Sequence, residues 1–142
     1  MSDRGKPYEL INHTADIGIR VLNETLEGLF EQAAFALFDN LAELKNVKED
    51  VCHEIQVTGM DLPELMVNWL NQLLFLWETR LVLFRRFHIH KVNQAAMQAR
   101  AWGEKYDPNL HELFADIKAA TYHNLRIEQH QGLWSAEIIF DT

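Results

Sequence analysis

Two long segments with apolar residues at helical spacing most constrain the fold of this chain. In residues 25–44, TLEGLFEQAAFALFDNLAEL, apolar side chains recur at intervals of three and one, which places them in one stripe along a helix. Residues 61–80, DLPELMVNWLNQLLFLWETR, repeat the pattern, with Asp61 and Glu64 spaced as in a capping box. Burying one large apolar side chain contributes about 1.5–3 kcal/mol before entropy is subtracted. Two such stripes can therefore anchor a core.

Shorter segments alternate as strands do. Residues 17–21, IGIRV, alternate branched apolar side chains with glycine and arginine, the period of a half-buried strand. Strand-like patterns also occupy residues 51–58, 81–92 and 94–106, and residues 116–141 are typical of a hairpin with its turn near residues 130–132. The sequence predicts an α+β fold, a single domain over residues 1–142 with a mostly antiparallel β-sheet and two amphipathic helices packed on it. Residues 1–7 are expected to be flexible.

The charge and cysteine content narrow the functional class. With 13 Lys and Arg against 21 Asp and Glu, the formal charge is −8. This charge opposes contact with a phosphate backbone, so we expect no direct nucleic acid binding, and a role near RNA would run through a basic protein partner. The single cysteine, Cys52, can form neither an intramolecular disulfide nor a multi-cysteine zinc site. This favours a reducing, cytoplasmic setting.

No targeting or membrane segment is expected. The first ten residues, MSDRGKPYEL, lack the apolar stretch of a signal peptide. No run approaches the roughly eighteen apolar residues that a membrane-spanning helix needs. We therefore predict a soluble protein without a membrane partner.

Polar residues stand directly before the first predicted strand. The segment NHTAD, residues 12–16, offers the imidazole of His13, the hydroxyl of Thr14 and the carboxylate of Asp16. From spacing alone, an Asx turn leading into the strand accounts for this segment without a ligand.

The end of the chain supplies further oxygens. Asp141 precedes Thr142, whose α-carboxylate adds a second anion if the protein stops there. If the first and last strands are neighbours, Asp16, Asp141 and the carboxylate or carbonyl of Thr142 form an all-oxygen cluster suited to Ca²⁺ or Mg²⁺. The competing interpretation is an exposed, frayed terminus with a solvated aspartate.

Other candidate residues have simpler explanations. His88 and His90 lie on the same side of a predicted strand, a zinc-compatible arrangement, but adjoining basic residues favour a solvent-facing strand. Lys118 can contact a phosphate or pair with a carboxylate, and an exposed strand face explains it equally well. The sequence contains no glycine-rich phosphate loop and no serine or cysteine nucleophile motif. We therefore predict no catalytic residues.

Several segments in order resemble the archease family. They are HTADIGIR, TLEGLFEQAAFAL on the first helix, LPELMVNWLNQLLFLWE on the second, AWGEKYD, and DIKAATYHNL followed by a terminal aspartate. The similarity runs from about Tyr8 to Asp141, nearly the whole chain.

The resemblance implies an accessory protein for RtcB-type RNA ligases, which join RNA ends in tRNA splicing and RNA repair. Such ligases are guanylylated on a histidine by GTP with a divalent metal, and archeases promote that step and multiple turnover. The protein would then be an activator and not itself an enzyme.

The resemblance also implies a metal site on Asp16, Asp141 and Thr142. Ca²⁺ is the expected ion, with Mg²⁺ or Mn²⁺ as alternatives, and His13 and Lys118 are carried over as neighbours of the site. One departure is that archeases end in Asp followed by an aliphatic residue, whereas this chain ends in Asp-Thr.

Two other functions compete with the activator. A stand-alone metal-dependent hydrolase would use a water activated at the same cluster, with His13 or His123 as the base. A chaperone-like binding module would use the metal only to tie the terminus to the first strand.

Overall fold

The computed structural model of the protein describes residues 6–11 and 16–142, without the side chains of residues 122–124. In these ranges the elements are β1 (Glu9–Ile11), β2 (Ile17–Asn23), α1 (Leu26–Leu41), β3 (Val51–Thr58), α2 (Leu62–Arg80), β4 (Val82–Val92), β5 (Ala96–Lys105), β6 (Ala119–His130) and β7 (Leu133–Asp141). Both helices lie where predicted. The strand β1 was missed, because three residues are too few to show an alternation. The expected flexibility of residues 1–7 falls mostly outside the described ranges and stays a prediction.

Side-chain caps begin both helices. The Thr25 hydroxyl accepts a hydrogen bond from the Gly28 N–H at 3.0 Å at the start of α1. Asp61 Oδ1 accepts from the Glu64 N–H at 2.9 Å, as the predicted box requires, but Glu64 Oε1 accepts from Met60, one residue before the cap. Each cap of this kind contributes about 1 kcal/mol.

The strands form two sheets. A four-stranded sheet has the order β1-β2-β7-β6, and a three-stranded sheet has the order β3-β5-β4. Every strand pair that the structure describes is antiparallel. The predicted α+β class is confirmed. The division into two sheets was not predicted, because alternation shows which face a side chain occupies but not which strand it pairs with.

A two-residue turn joins β6 and β7, as predicted. Gln131 and Gly132 have φ angles of 53° and 78°. Positive φ at both central positions matches the type I′ turn, whose twist suits a hairpin.

The helices contact both sheets and share one core with them. The Trp69 indole N–H donates to the Phe30 carbonyl at 3.0 Å, which joins α2 to α1 in the buried interior. The Phe38 and Phe84 rings meet edge to face with centroids 5.6 Å apart, which joins α1 to β4. In the part of the chain that the structure describes, neither helix has the length and apolar character to cross a membrane.

Candidate functional site

The start of β2 and the end of β7 meet at one corner of the four-stranded sheet. The antiparallel register pairs Ile17 with Phe140, so Asp16 and Asp141 flank the same cross-strand pair. The Thr142 N–H donates to Asp16 Oδ1 at 3.4 Å. The two strands are therefore neighbours, which was the condition for the predicted all-oxygen cluster.

Lys118 joins this corner from the other side of β7. Its backbone N–H donates to the Asp141 carbonyl at 2.8 Å, and the next residue, Ala119, pairs with Asp141. We call this group the carboxylate corner, and it consists of Asp16, Lys118, Asp141 and Thr142. His13, predicted as a neighbour, lies outside the described residues.

The carboxylate corner combines like charges with partial exposure. Asp16 is half-buried, whereas Lys118, Asp141 and Thr142 are exposed. Two carboxylates 4 Å apart repel by only about 1 kcal/mol in bulk water, and by more where water is partly excluded. A nearby cation relieves this repulsion.

The donor atoms fit a hard cation in kind. Carboxylate and backbone oxygens are the ligands of Ca²⁺ and Mg²⁺, which take six or more. Among residues 6–11 and 16–142, no group of three or more His, Cys, Asp or Glu side chains is placed to hold a metal ion. Asp16 and Asp141 would need oxygens from Thr142, water or a partner, so the predicted cation stays a prediction.

The paired histidines lie on an exposed strand, as the simpler interpretation predicted. His88 and His90 are both exposed, with ring centroids 4.7 Å apart. Glu31 Oε2 accepts from the Ile89 N–H at 2.9 Å and lies 3.9 Å from His88 Nδ1. Cys52 is also exposed, and the side chain of His123 lies outside the described set.

A buried pair that sequence reasoning missed joins Glu104 to His111. His111 Nε2 lies 2.8 Å from Glu104 Oε1, and His111 Nδ1 accepts from the Asp107 N–H. The hydrogen bond from the Lys48 N–H is the main cause that lowers the pKa of Glu104, and the bond to His111 adds to it. A sequence feature that could have indicated this pair is the Asp107-Pro108-Asn109 turn, which His111 follows by two residues.

Comparisons with known proteins agree with this architecture. The family model described as "Archease protein family (MTH1598/TM1083)" matches residues 8–142. "Protein archease" of Methanosarcina mazei is 37% identical over 145 residues, which cover 99% of each chain. "Protein archease" of Pyrococcus abyssi is 38% identical over 141 residues, which cover 96% of this chain and 99% of that protein.

Solved structures show the same fold. The solution structure of Protein 1598 from Methanobacterium thermoautotrophicum aligns with a TM-score of 0.83 at 31% identity, covering 96% of this chain and 99% of that one. A crystal structure from Thermotoga maritima, described as "an archease, possible chaperone", aligns with a TM-score of 0.64 at 22% identity and covers 93% of this chain and 94% of that one. The second likeness concerns the fold alone.

Proposed function

Because the chain belongs to the archease family, we propose that it is an accessory protein that activates an RtcB-type RNA ligase. It would promote the metal- and GTP-dependent guanylylation of the ligase histidine, and multiple turnover, in tRNA splicing and RNA repair. The observation that carries this proposal is the meeting of Asp16 and Asp141 at one partly exposed corner, within a family match that spans residues 8–142. The protein would supply no catalytic residue of its own.

The carboxylate corner is the proposed point of action. The carboxylates of Asp16 and Asp141 and a backbone oxygen of Thr142 would hold the cation, with Ca²⁺ expected and Mg²⁺ or Mn²⁺ as alternatives. When bound, the cation would cancel the repulsion between the carboxylates and offer its open positions to phosphate oxygens of the nucleotide. Lys118, at the same corner, would offer its ammonium group to those oxygens, with His13 nearby.

The overall charge supports docking onto a basic partner. A formal charge of −8 on 142 residues gives the protein an attraction to positively charged surfaces. Such complementarity accelerates encounter more than it adds affinity. We propose that the carboxylate corner enters or borders the nucleotide pocket of the ligase, in a cytoplasmic complex.

Guanylate transfer to the cognate ligase tests the proposal directly. Asp16→Ala and Asp141→Ala should each reduce the stimulated rate by roughly tenfold or more, as loss of a metal-orienting group does. Asp50→Ala is the matched control, because it removes one exposed carboxylate next to β3 of the other sheet. Undiminished stimulation by both corner variants would remove the corner from the mechanism.

A chaperone-like binding module is the second candidate. The loop between β5 and β6 exposes Leu110, Leu113 and Phe114 by 53%, 41% and 53%. Exposed apolar side chains grouped in one loop suit contact with another protein. If removal of metal lowers thermal stability but leaves ligase activation intact, the cation is structural, and the protein acts on the ligase as a binding module and not through the metal.

A further inference from the structure

The three-stranded sheet has one face that is open to solvent in the described structure. The register of β3, β5 and β4 places three rows of side chains on it, and all of these residues are exposed except Trp102, which is half-buried. The rows are Cys52, Trp102 and Arg86; Glu54, Arg100 and His88; and Gln56, Gln98 and Lys91. We call these nine residues the open face.

The edge strand of the open face is basic. Between Phe84 and Val92, β4 contains two arginines, two histidines and a lysine, and no acidic residue. The register shifts at two points, and each shift inserts one extra residue, Arg85 and His90. Both insertions are exposed. The bulges therefore add basic groups to an edge that already carries them.

An arginine lies over the aromatic ring of the open face. The Arg86 guanidinium is 3.7 Å from the centroid of the Trp102 ring, a cation–π contact. Arg86 Nε also donates to Glu49 at 2.7 Å, and Arg100 Nε donates to Glu54 at 2.6 Å. Ion pairs between exposed groups contribute about 0–1 kcal/mol each, so a phosphate can take the place of either carboxylate.

The local charge is opposite to that of the whole protein. Arg85, Arg86, Lys91 and Arg100 are opposed here by Glu31, Glu49 and Glu54, which leaves an excess of one positive charge before the histidines are counted. Charges more than about 10 Å away are largely screened at 0.1 M salt. The acidic remainder of the molecule therefore does not cancel this patch for a ligand lying on it.

We propose that the open face binds single-stranded nucleic acid, a contact that the overall charge of −8 alone did not predict. Proteins that bind single strands combine a cationic track for phosphates with aromatic rings on which bases stack. Arg86, Arg100 and Lys91 provide the cations, and the Arg86 guanidinium held over the Trp102 ring provides a planar surface on which a base can stack. Gln56 and Gln98 add amides that can donate to and accept from base edges. An acidic protein segment would match the charge but would leave the ring and the amides unused.

Fluorescence anisotropy of the full chain with a short labelled oligouridylate tests the inference. The double variant Arg86→Gln/Lys91→Gln should bind at least about tenfold more weakly at low salt. Each phosphate contact contributes about −0.7 to the slope of log K against log salt. Loss of two contacts should therefore make the slope less negative by about 1.4. The matched control is Lys45→Gln/Arg126→Gln, which changes the net charge equally but lies outside the open face.

Trp102→Leu separates stacking from charge. It should weaken binding by about fivefold or more while leaving the salt slope unchanged, because no phosphate contact is lost. Urea unfolding of each variant checks that the fold is kept, and the double variant keeps the test open if Trp102→Leu does not fold.

Several results would overturn the inference. They are no binding by the native protein at about 50 mM salt, an equal loss in the control variant, or equal affinity for polyglutamate. A concentration-dependent dimer that the double variant abolishes, without oligonucleotide binding, would assign the face to a second copy of the chain. The assay contains no ligase, so its outcome is independent of the proposed activation.

Discussion

The side chains of Glu104 and His111 show how neighbouring groups fix the position of one proton. His111 Nδ1 accepts the Asp107 N–H at 2.9 Å, so it carries no hydrogen of its own. The hydrogen therefore lies on Nε2, which donates to Glu104 Oε1 at 2.8 Å. The His111 side chain is fully buried and that of Glu104 is 14% exposed, so the bond joins a neutral ring to a carboxylate away from bulk water.

Glu104→Gln is expected to destabilise the protein at neutral pH. The folded pKa of Glu104 lies below its ordinary value of 4.5, chiefly through the bond from the Lys48 N–H. The carboxylate therefore stabilises the fold above pH 4.5, and this contribution is lost as the pH falls through the lower folded pKa. Urea unfolding at neutral pH should show that the free energy of unfolding falls by roughly 1–3 kcal/mol. Below pH 4.5, the free energy of unfolding of the variant should change less with pH than that of the native protein.

The matched control for this prediction is Glu54→Gln. The Glu54 side chain is 65% exposed and paired only at the surface, so its stability should change by no more than about 0.5 kcal/mol. An equal acid dependence of the native protein and Glu104→Gln would contradict the role assigned to Glu104.

At the scale of elements, sequence patterns predicted what is locally encoded. The stripes of α1 and α2, the Asp61 cap and the turn at Gln131 and Gly132 depend on residues within a few positions of each other. The grouping into two sheets depends on which strands meet, and alternation alone does not specify this. The open face was missed for the same reason, since Arg100 and His88 become neighbours only through pairing.

The residues of the candidate site could be proposed from the sequence, but their proximity in the fold could not. The sequence showed that Asp16 precedes a strand and that Asp141 ends one. Their meeting required β7 to lie beside β2, a pairing that the sequence leaves as a condition. Lys118 reaches the corner through the backbone bond to Asp141, a contact that no local pattern encodes.

One helix side chain completes the edge of β6. Asn71 in α2 accepts from the Ala120 N–H at 2.8 Å and donates to the Ala120 carbonyl at 3.3 Å, as a neighbouring strand would do. Asn71→Ala should therefore lower the free energy of unfolding by roughly 1–3 kcal/mol, because the backbone groups of buried Ala120 lose their partner. Hydrogen exchange at the Ala120 amide should accelerate as well.

Asn68→Ala is the control for the edge of β6. Asn68 also lies in α2 and donates to one backbone carbonyl, that of exposed Thr58. Loss of this hydrogen bond should lower the free energy of unfolding by less, because water can replace it at the exposed carbonyl. Equal destabilisation by the two variants would show that the amide pair at Ala120 has no special role.

At the scale of the whole molecule, charge is unevenly distributed. The protein is acidic overall, yet the basic groups of β4 gather on the open face, and the two carboxylates gather at the corner of the other sheet. The two proposed activities therefore use separate surfaces, so a variant in one should leave the other intact.

A divalent cation should stabilise the whole fold. Ligand at about 100 times its Kd adds roughly 2.7 kcal/mol to the free energy of unfolding, provided that it binds only the folded state. We expect Ca²⁺ to raise the Tm and a chelator to lower it again. Asp16→Asn/Asp141→Asn should abolish this response, and Asp50→Asn should keep it. An undiminished response of the double variant would place the cation elsewhere.

The position of β7 between β2 and β6 also affects synthesis of the protein. A nascent chain that has left the ribosome only as far as β6 gives β2 just the three-residue β1 as a strand partner. The sheet closes when residues 133–141 emerge and form contacts such as that between Arg20 and Glu137, 117 positions apart. Such distant contacts form slowly because of the entropy of loop closure. We therefore expect Asp16 and Asp141 to come together only after β7 has emerged, and a chain truncated before β7 lacks the carboxylate corner.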